Sequence, residues 1–212
     1  MKPLCCFANH TLPLVVDASV AINLNATGCA KAVIEAIPND LVMVNCVREE
    51  LSSGMCKGRK DAELTSMLLD GGHITIVRLG EQGGVLFEQL VSGDAAQTLD
   101  DGEASTIAFA VETGAIALID ERKATRMCVE RFPALALACT VDLFAHPQVR
   151  HTLGPEGLAD AVFSALDRAR MHVHTHHLAW VVNLIGPERA ACCKSLPSSS
   201  RDVGVRRPSG CD

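Results

Sequence analysis

The sequence predicts a three-layer α/β/α domain with a central parallel sheet, followed by a C-terminal helical extension. Short apolar runs at Leu14 to Val16, Leu41 to Val44, Ala115 to Ile119 and Leu135 to Ala138 have the length and composition of buried strands. Segments with helical spacing separate these runs, which implies βαβ units around a parallel sheet. After His146-Pro147 the alternation stops and two apolar helical segments follow. These observations divide the chain into an α/β domain over 1–149, a helical extension over 150–190 and a tail over 191–212. The tail is expected to be disordered because Ser, Arg, Gly and Pro dominate it.

In chain order, Leu14-Val15-Val16 is β-branched and stops at Asp17. Ala18 to Ala36 then reads as helical, broken near Asn25 to Gly28 and stopped by Pro38. Leu41 to Val44 is the next strand, and a charged helix covers Val47 to Ser53. Arg59 to Leu69 has helical spacing ended by Gly71-Gly72, and His73 to Leu79 alternates like a strand. Val85 to Val91 is a short helix. Asp100-Asp101-Gly102 caps a stronger one, with Ala104, Ile107, Ala108 and Val111 on one face and Gly114 at its end. Ala115 to Ile119 is a strand stopping at Asp120. Arg122 to Arg131 is helical, Leu135 to Ala138 is the last strand, and Val141 to Ala145 opens another helix. Leu158, Ala161, Val162, Ala165, Leu166 and Ala169 mark the amphipathic helix of the extension, and Leu178 to Ile185 its second apolar run.

Hydrophobic residues make up 48% of the 212, enough to build a sizeable core, and aromatics only 3%, so Ala, Val, Leu and Ile must fill it. The net charge of −6 supplies no overall basic field and argues against a passive nucleic-acid-binding module. It is compatible with an enzyme whose cations bridge acidic residues to phosphate. The ten cysteines include no C-x-x-C pair and several lie in apolar segments, as expected of small hydrophobes in a reducing cytosol. No secretory signal is legible and no apolar run approaches the ~20 residues of a membrane span, so the expected location is cytoplasmic, away from any membrane.

Four segments place a carboxylate beside a structural boundary: Val15-Val16-Asp17-Ala18-Ser19, Val47-Arg48-Glu49-Glu50-Leu51, Gly102-Glu103-Ala104 and Leu118-Ile119-Asp120-Glu121. A single strand-end Asp reads most simply as the cap of the following helix. Two such residues on neighbouring strands, joined by two helix-borne Glu, read instead as converging carboxylates that a hard cation must hold together; Mg²⁺ and Mn²⁺ suit such oxygen ligands.

These segments resemble the PIN-domain family. Asp17-Ala18-Ser19 after an apolar strand is similar to its opening Asp-x-Ser/Thr motif, and Val47-x-x-Glu50-Leu51 to its second acidic motif, with Glu49 as the competing assignment. Gly102-Glu103-Ala104 and Gly114 through Ile119-Asp120-Glu121-Arg122-Lys123 to Arg126 resemble the third and fourth. The resemblance spans about residues 13–145. It departs from the family at Cys139-Thr140, where relatives usually carry Gly-Thr, and Asp142 follows as a further candidate ligand or helix N-terminal charge.

The resemblance implies a metal-dependent endoribonuclease, similar to VapC-type toxins that a small antitoxin protein neutralises, and it implies a homodimer. Asp17, Glu103 and Asp120 would hold Mg²⁺ or Mn²⁺, and Glu50 would act as a further ligand or water orienter. Ser19 and Asn23 would support a ligand carboxylate or the phosphate, and Arg122, Lys123 and Arg126 would contact the RNA backbone; a solvated helix face explains those three equally well. A PIN-like fold kept as a non-catalytic binding or assembly module is the alternative.

The strongest rival signal is His172-x-His174-x-His176-His177. Such tracts bind Zn²⁺ or Ni²⁺, with Cys192-Cys193 as possible company, but an exposed polar connector between two helices is the favoured reading. Gly83-Gly84 lacks a phosphate-loop pattern, and Ser19 and Ser105 lack a nucleophile elbow. Cys56, flanked by Lys57 and Arg59, has the surroundings of a thiolate but no paired His.

Overall fold

The computed structural model describes residues 11–55, 60–94 and 97–201. Within them a five-stranded parallel sheet runs in the order β3-β2-β1-β4-β5. Its strands are β1 (Leu14–Val16), β2 (Leu41–Val44), β3 (Thr75–Val77), β4 (Ile116–Leu118) and β5 (Leu137–Ala138). Every residue of β1, β2 and β4 is buried, as expected of central strands covered on both faces. The outer strands are shorter than the runs His73 to Leu79 and Leu135 to Ala138 suggest, because an edge strand has a ladder partner on one side only.

The first crossover carries α1 (Ala18–Ala26) and α2 (Ala30–Ala36), the second α3 (Asn45–Met55) and α4 (Asp61–Asp70). α5 (Glu81–Val91) and α6 (Asp101–Thr113) then return the chain to the far side of β1, and α7 (Arg122–Arg131) joins β4 to β5. The chain therefore reverses its direction of travel between β1 and β4, the position where open parallel sheets form a crevice beyond the strand ends. The register pairs Val16 with Leu118, so Asp17 and Asp120 leave the sheet at the same end of adjacent strands.

Asp100 caps α6 by accepting the Glu103 N–H at 2.8 Å, and Gly114, at φ 72°, ends it in the left-handed region where a Cβ would be strained. α6 packs against α3 and α5 and lies across β1, β2 and β4. After β5 come α8 (Thr140–Ala145) and the extension, opening with α9 (Pro147–Arg168), which covers α1, α2 and α8. α9 breaks at Gly154 (φ 66°), just before Pro155, where the ring excludes a continuous helix. A 3-10 turn over Thr175–His177, α10 (Leu178–Ile185), α11 (Pro187–Cys192) and α12 (Ser198–Arg201) complete it.

Residues 191–201, expected to open a loose tail, contain the buried Cys193 and Leu196, and α12 packs on α10 and α11. Residues 202–212 and Cys56 lie outside the described residues. The histidine tract is not the exposed connector its polarity suggests. His177 is fully buried and His172 and His174 partly so, because the buried apolar Met171 and Val173 alternate with them and draw the segment onto the core. Among the described residues, Cys29, Cys46, Cys128, Cys139, Cys192 and Cys193 are free thiols, and no helix is long and apolar enough to cross a membrane.

Candidate active site

Asp17 follows β1 directly and caps α1: its Oδ2 accepts the Ser19 backbone N–H at 3.3 Å and the Ser19 hydroxyl at 2.6 Å. Its other oxygen is directed elsewhere. A Cβ added to Gly102, in the first turn of α6, would stand 3.5 Å from Asp17 Oδ1 and collide with Glu50 Oε2 from α3. Two carboxylates from different elements thus close over one strip of bare backbone, a cradle any larger residue would fill. Glu103, the next residue, is itself buried.

The electrostatics follow from that convergence. Burial, then the charges of Asp100 and Asp17, push Glu103 up to about 8. Burial, then Asp100, Asp17 and Asp101, push Glu50 up to about 7. Asp17 rises to about 6, chiefly through burial, with the Ser19 hydrogen bonds opposing and Asp100 adding to the rise. Four acids, Asp17, Glu50, Asp100 and Glu103, therefore share one field. The sequence reading assigned Asp100 only a capping role; its position three residues before Glu103, one helical turn away, was the available signal.

Asp120 occupies a different environment. The helix cap after β4 is Glu121, which accepts from the backbone N–H groups of Lys123 and Ala124, so the simple capping explanation does not apply to Asp120. Asp120 is buried and accepts three hydrogen bonds: from Asn23 Nδ2 at 2.6 Å, from the Thr140 N–H at 2.9 Å and from the Thr140 hydroxyl. Burial raises its pKa against those bonds. Thr140, which the sequence singled out in Cys139-Thr140 without giving it a role, thus fixes the start of α8 to the end of β4. Ser19 and Asn23 hold Asp17 and Asp120 respectively.

Asp120 lines a cleft of ≈ 240 Å³ with Ser19, Asn23, Glu121, Arg170 and His172, so the extension supplies one wall. A second cleft of ≈ 550 Å³ is lined by Cys46, Glu49, Glu50, Ser53, Asp100 and Asp101. Glu49 accepts a hydrogen bond from Asn45 at 2.5 Å on the exposed face of α3, whereas Glu50 faces Gly102. Of the three cations, Arg122 is exposed at the start of α7, and Lys123 and Arg126 line a groove with Gln89, Gln97 and Arg131.

Mutually repelling, partly desolvated carboxylates around a glycine cradle suit a hard divalent cation. Among the described residues, these acids do not bring three ligand oxygens within 4.8 Å of one another; Cys139, Asp142 and His177 alone form a group that compact.

No curated protein and no solved structure gives a match to the chain. The family model DUF3368, described as a PIN domain, matches residues 13–185 and so takes in α9 and α10 as well as the sheet domain. PIN domains are generally nucleases that use divalent metals. With the sheet order and the acids at its switch point, that match establishes that the chain belongs to the PIN-domain family.

Proposed function

We propose that the protein is a Mg²⁺- or Mn²⁺-dependent endoribonuclease, acting as the VapC-like toxin of a toxin–antitoxin pair in the cytoplasm. The observation that carries this reading is the shared field of Asp17, Glu50, Asp100 and Glu103 around Gly102, which a bound cation would relieve. In this reading Asp17, Glu103 and Asp120 hold the metal and Glu50 contributes a further oxygen or orients water. The metal supplies Lewis acidity and a water of lowered pKa.

The chain's own groups do the positioning. Ser19 directs Asp17 Oδ2 away from the centre, which leaves Oδ1 for ligation. Asn23 and Thr140 fix both oxygens of Asp120. Arg122, Lys123 and Arg126, on the helix after Asp120, supply positive charge for the RNA backbone. A small antitoxin would silence the enzyme by covering these clefts, and a homodimer is the working assembly.

The deciding experiment is Mn²⁺-dependent cleavage of an RNA panel by wild type and Asp120→Asn. Cleavage lost with EDTA and with the substitution supports the reading. Asp17→Asn should likewise fold and lose both cleavage and growth inhibition. Metal-loaded, folded wild type that cuts no RNA would favour the non-catalytic module.

A further inference from the structure

Beyond the acidic centre, the end of β5 carries a second constellation. Cys139 follows β5, Asp142 lies in the first turn of α8, and His177 ends the 3-10 turn of the extension. Cys139 Sγ lies 3.2 Å from Asp142 Oδ2, and His177 Nε2 lies 3.2 Å from Asp142 Oδ1. One ligand atom from each residue falls within 4.8 Å of the others. Their relative exposures are 3%, 4% and 0%, so solvent reaches none of them freely. Neither ring nitrogen of His177 makes a hydrogen bond of acceptable geometry, although Nε2 is aimed at the carboxylate. An imidazole sealed in the core with Nδ1 open and Nε2 facing only the Asp142 carboxylate is short of the partners such a group normally has.

We propose that Cys139, Asp142 and His177 form a transition-metal site, best suited to Zn²⁺, that ties the C-terminal extension to the end of the sheet. The donor set of one sulfur, one nitrogen and one oxygen is that of borderline-soft ions rather than Mg²⁺. Bonds of about 2.0–2.3 Å around a tetrahedral ion place ligand atoms roughly 3–4 Å apart, so a cluster whose atoms lie within 4.8 Å of one another has to close slightly around the ion. Charge balance favours it as well. On binding, the Cys139 S–H bond breaks, its proton leaves to solvent and the thiolate binds the ion. A divalent cation with one thiolate, one carboxylate and a neutral imidazole is neutral overall, the form least penalised by burial. A water or His176, whose ring centroid is 4.0 Å from that of His177, completes the coordination. Cys46 lines the acidic cleft with Glu50 and Asp100, so the two sites are told apart by whether the sulfur signal is lost with Cys139, whatever reaction the protein performs.

The test is Co²⁺ titration of the untagged, metal-stripped full chain. One Co²⁺ per chain should give a thiolate-to-cobalt charge-transfer band and tetrahedral ligand-field bands, any further Co²⁺ held by carboxylates adding no sulfur band, and Zn²⁺ should displace it. Cys139→Ser should remove the charge-transfer band, and His177→Asn should weaken binding by more than roughly tenfold. A triple His172/His174/His176→Asn variant should keep the band. If Cys139→Ser fails to fold, the wild-type band and the His177→Asn affinity decide. Co²⁺ binding without a sulfur band, or a band that survives Cys139→Ser or is indifferent to His177→Asn, overturns the proposal.

Discussion

Asp17 and Asp120 end neighbouring parallel strands and look equivalent in sequence, yet the fold treats them differently. Asp17 spends one oxygen on its own helix and turns the other toward Glu50 over Gly102, in the field of Asp100. Asp120 leaves helix capping to Glu121 and is wrapped by Asn23 and Thr140 from two other elements. The first is held in electrostatic tension and the second in a satisfied hydrogen-bond network. Strand-end position alone therefore tells where a carboxylate stands and leaves open how firmly it is held.

The largest expected difference is in stability. Asp120→Ala removes the acceptor of three buried donor groups on Asn23 and Thr140, which should cost roughly 2–5 kcal/mol. Asp17→Ala loses a cap worth about 1 kcal/mol but relieves repulsion, so its net cost should be smaller. Urea unfolding of metal-free protein compares them directly. Equal losses would erase the distinction.

The pH dependence should come next. Asp17 moves from 3.8 to about 6 and Glu103 from 4.5 to about 8 in the folded chain. Between its unfolded and folded values, a carboxyl with a raised pKa binds more protons folded than unfolded. Its contribution is present below about pH 4 and is lost as pH rises through the folded value. Metal-free protein should thus lose about 3 kcal/mol from Asp17 alone between pH 4 and 8. Asp17→Asn should flatten that slope, and Mn²⁺ should stabilise wild type increasingly as pH rises. Thermal unfolding with and without Mn²⁺ reads both; a flat metal-free profile would mean that neither burial nor the neighbouring charges hold these carboxyls up.

A smaller effect is expected at Thr140. Thr140→Val removes the hydroxyl that donates to Asp120 but keeps the backbone N–H, so about 1 kcal/mol of stability should be lost. Because Asp120 would be less firmly held, the loss should nearly vanish in an Asp120→Asn background. A double-mutant cycle measures that coupling, and additive losses would show that the two side chains act independently.

These differences also show what the sequence could disclose. The central strands were legible as short apolar runs, and Asp17 and Asp120 as charges at their ends, because burying a charge beside a strand demands a reason; the helix-borne Glu103 was legible through its Gly-Glu-Ala segment. Asp100 was hidden by its own sufficient explanation as a cap. Thr140 gains its meaning only from the pairing of β4 with β5, since no local pattern says that the residue opening α8 will meet a carboxylate from another loop. His177 was hidden by composition: a polar tract reads as surface, while the burial of Met171 and Val173 that pulls it inward is a product of the tertiary fold.

Gly102→Ala gives the smallest change in stability and the sharpest view of the Asp17 side. In a helix, alanine is favoured over glycine by about 1 kcal/mol, so the backbone itself should gain. The new methyl would meet Glu50 Oε2, the far end of a flexible side chain on a helix whose surface faces solvent, and Glu50 can swing away. The gain and the displacement should nearly cancel, leaving stability within about 1 kcal/mol of wild type. Once displaced, Glu50 no longer shares the strip of backbone beneath Asp17 Oδ1, so the acids lose their convergence. Mn²⁺ affinity should therefore fall, by about tenfold, while the Asp120 network is untouched. Calorimetric Mn²⁺ titration of the variant checks this: unchanged affinity would mean that Glu50 lies outside the metal's reach and that Asp17 works without it.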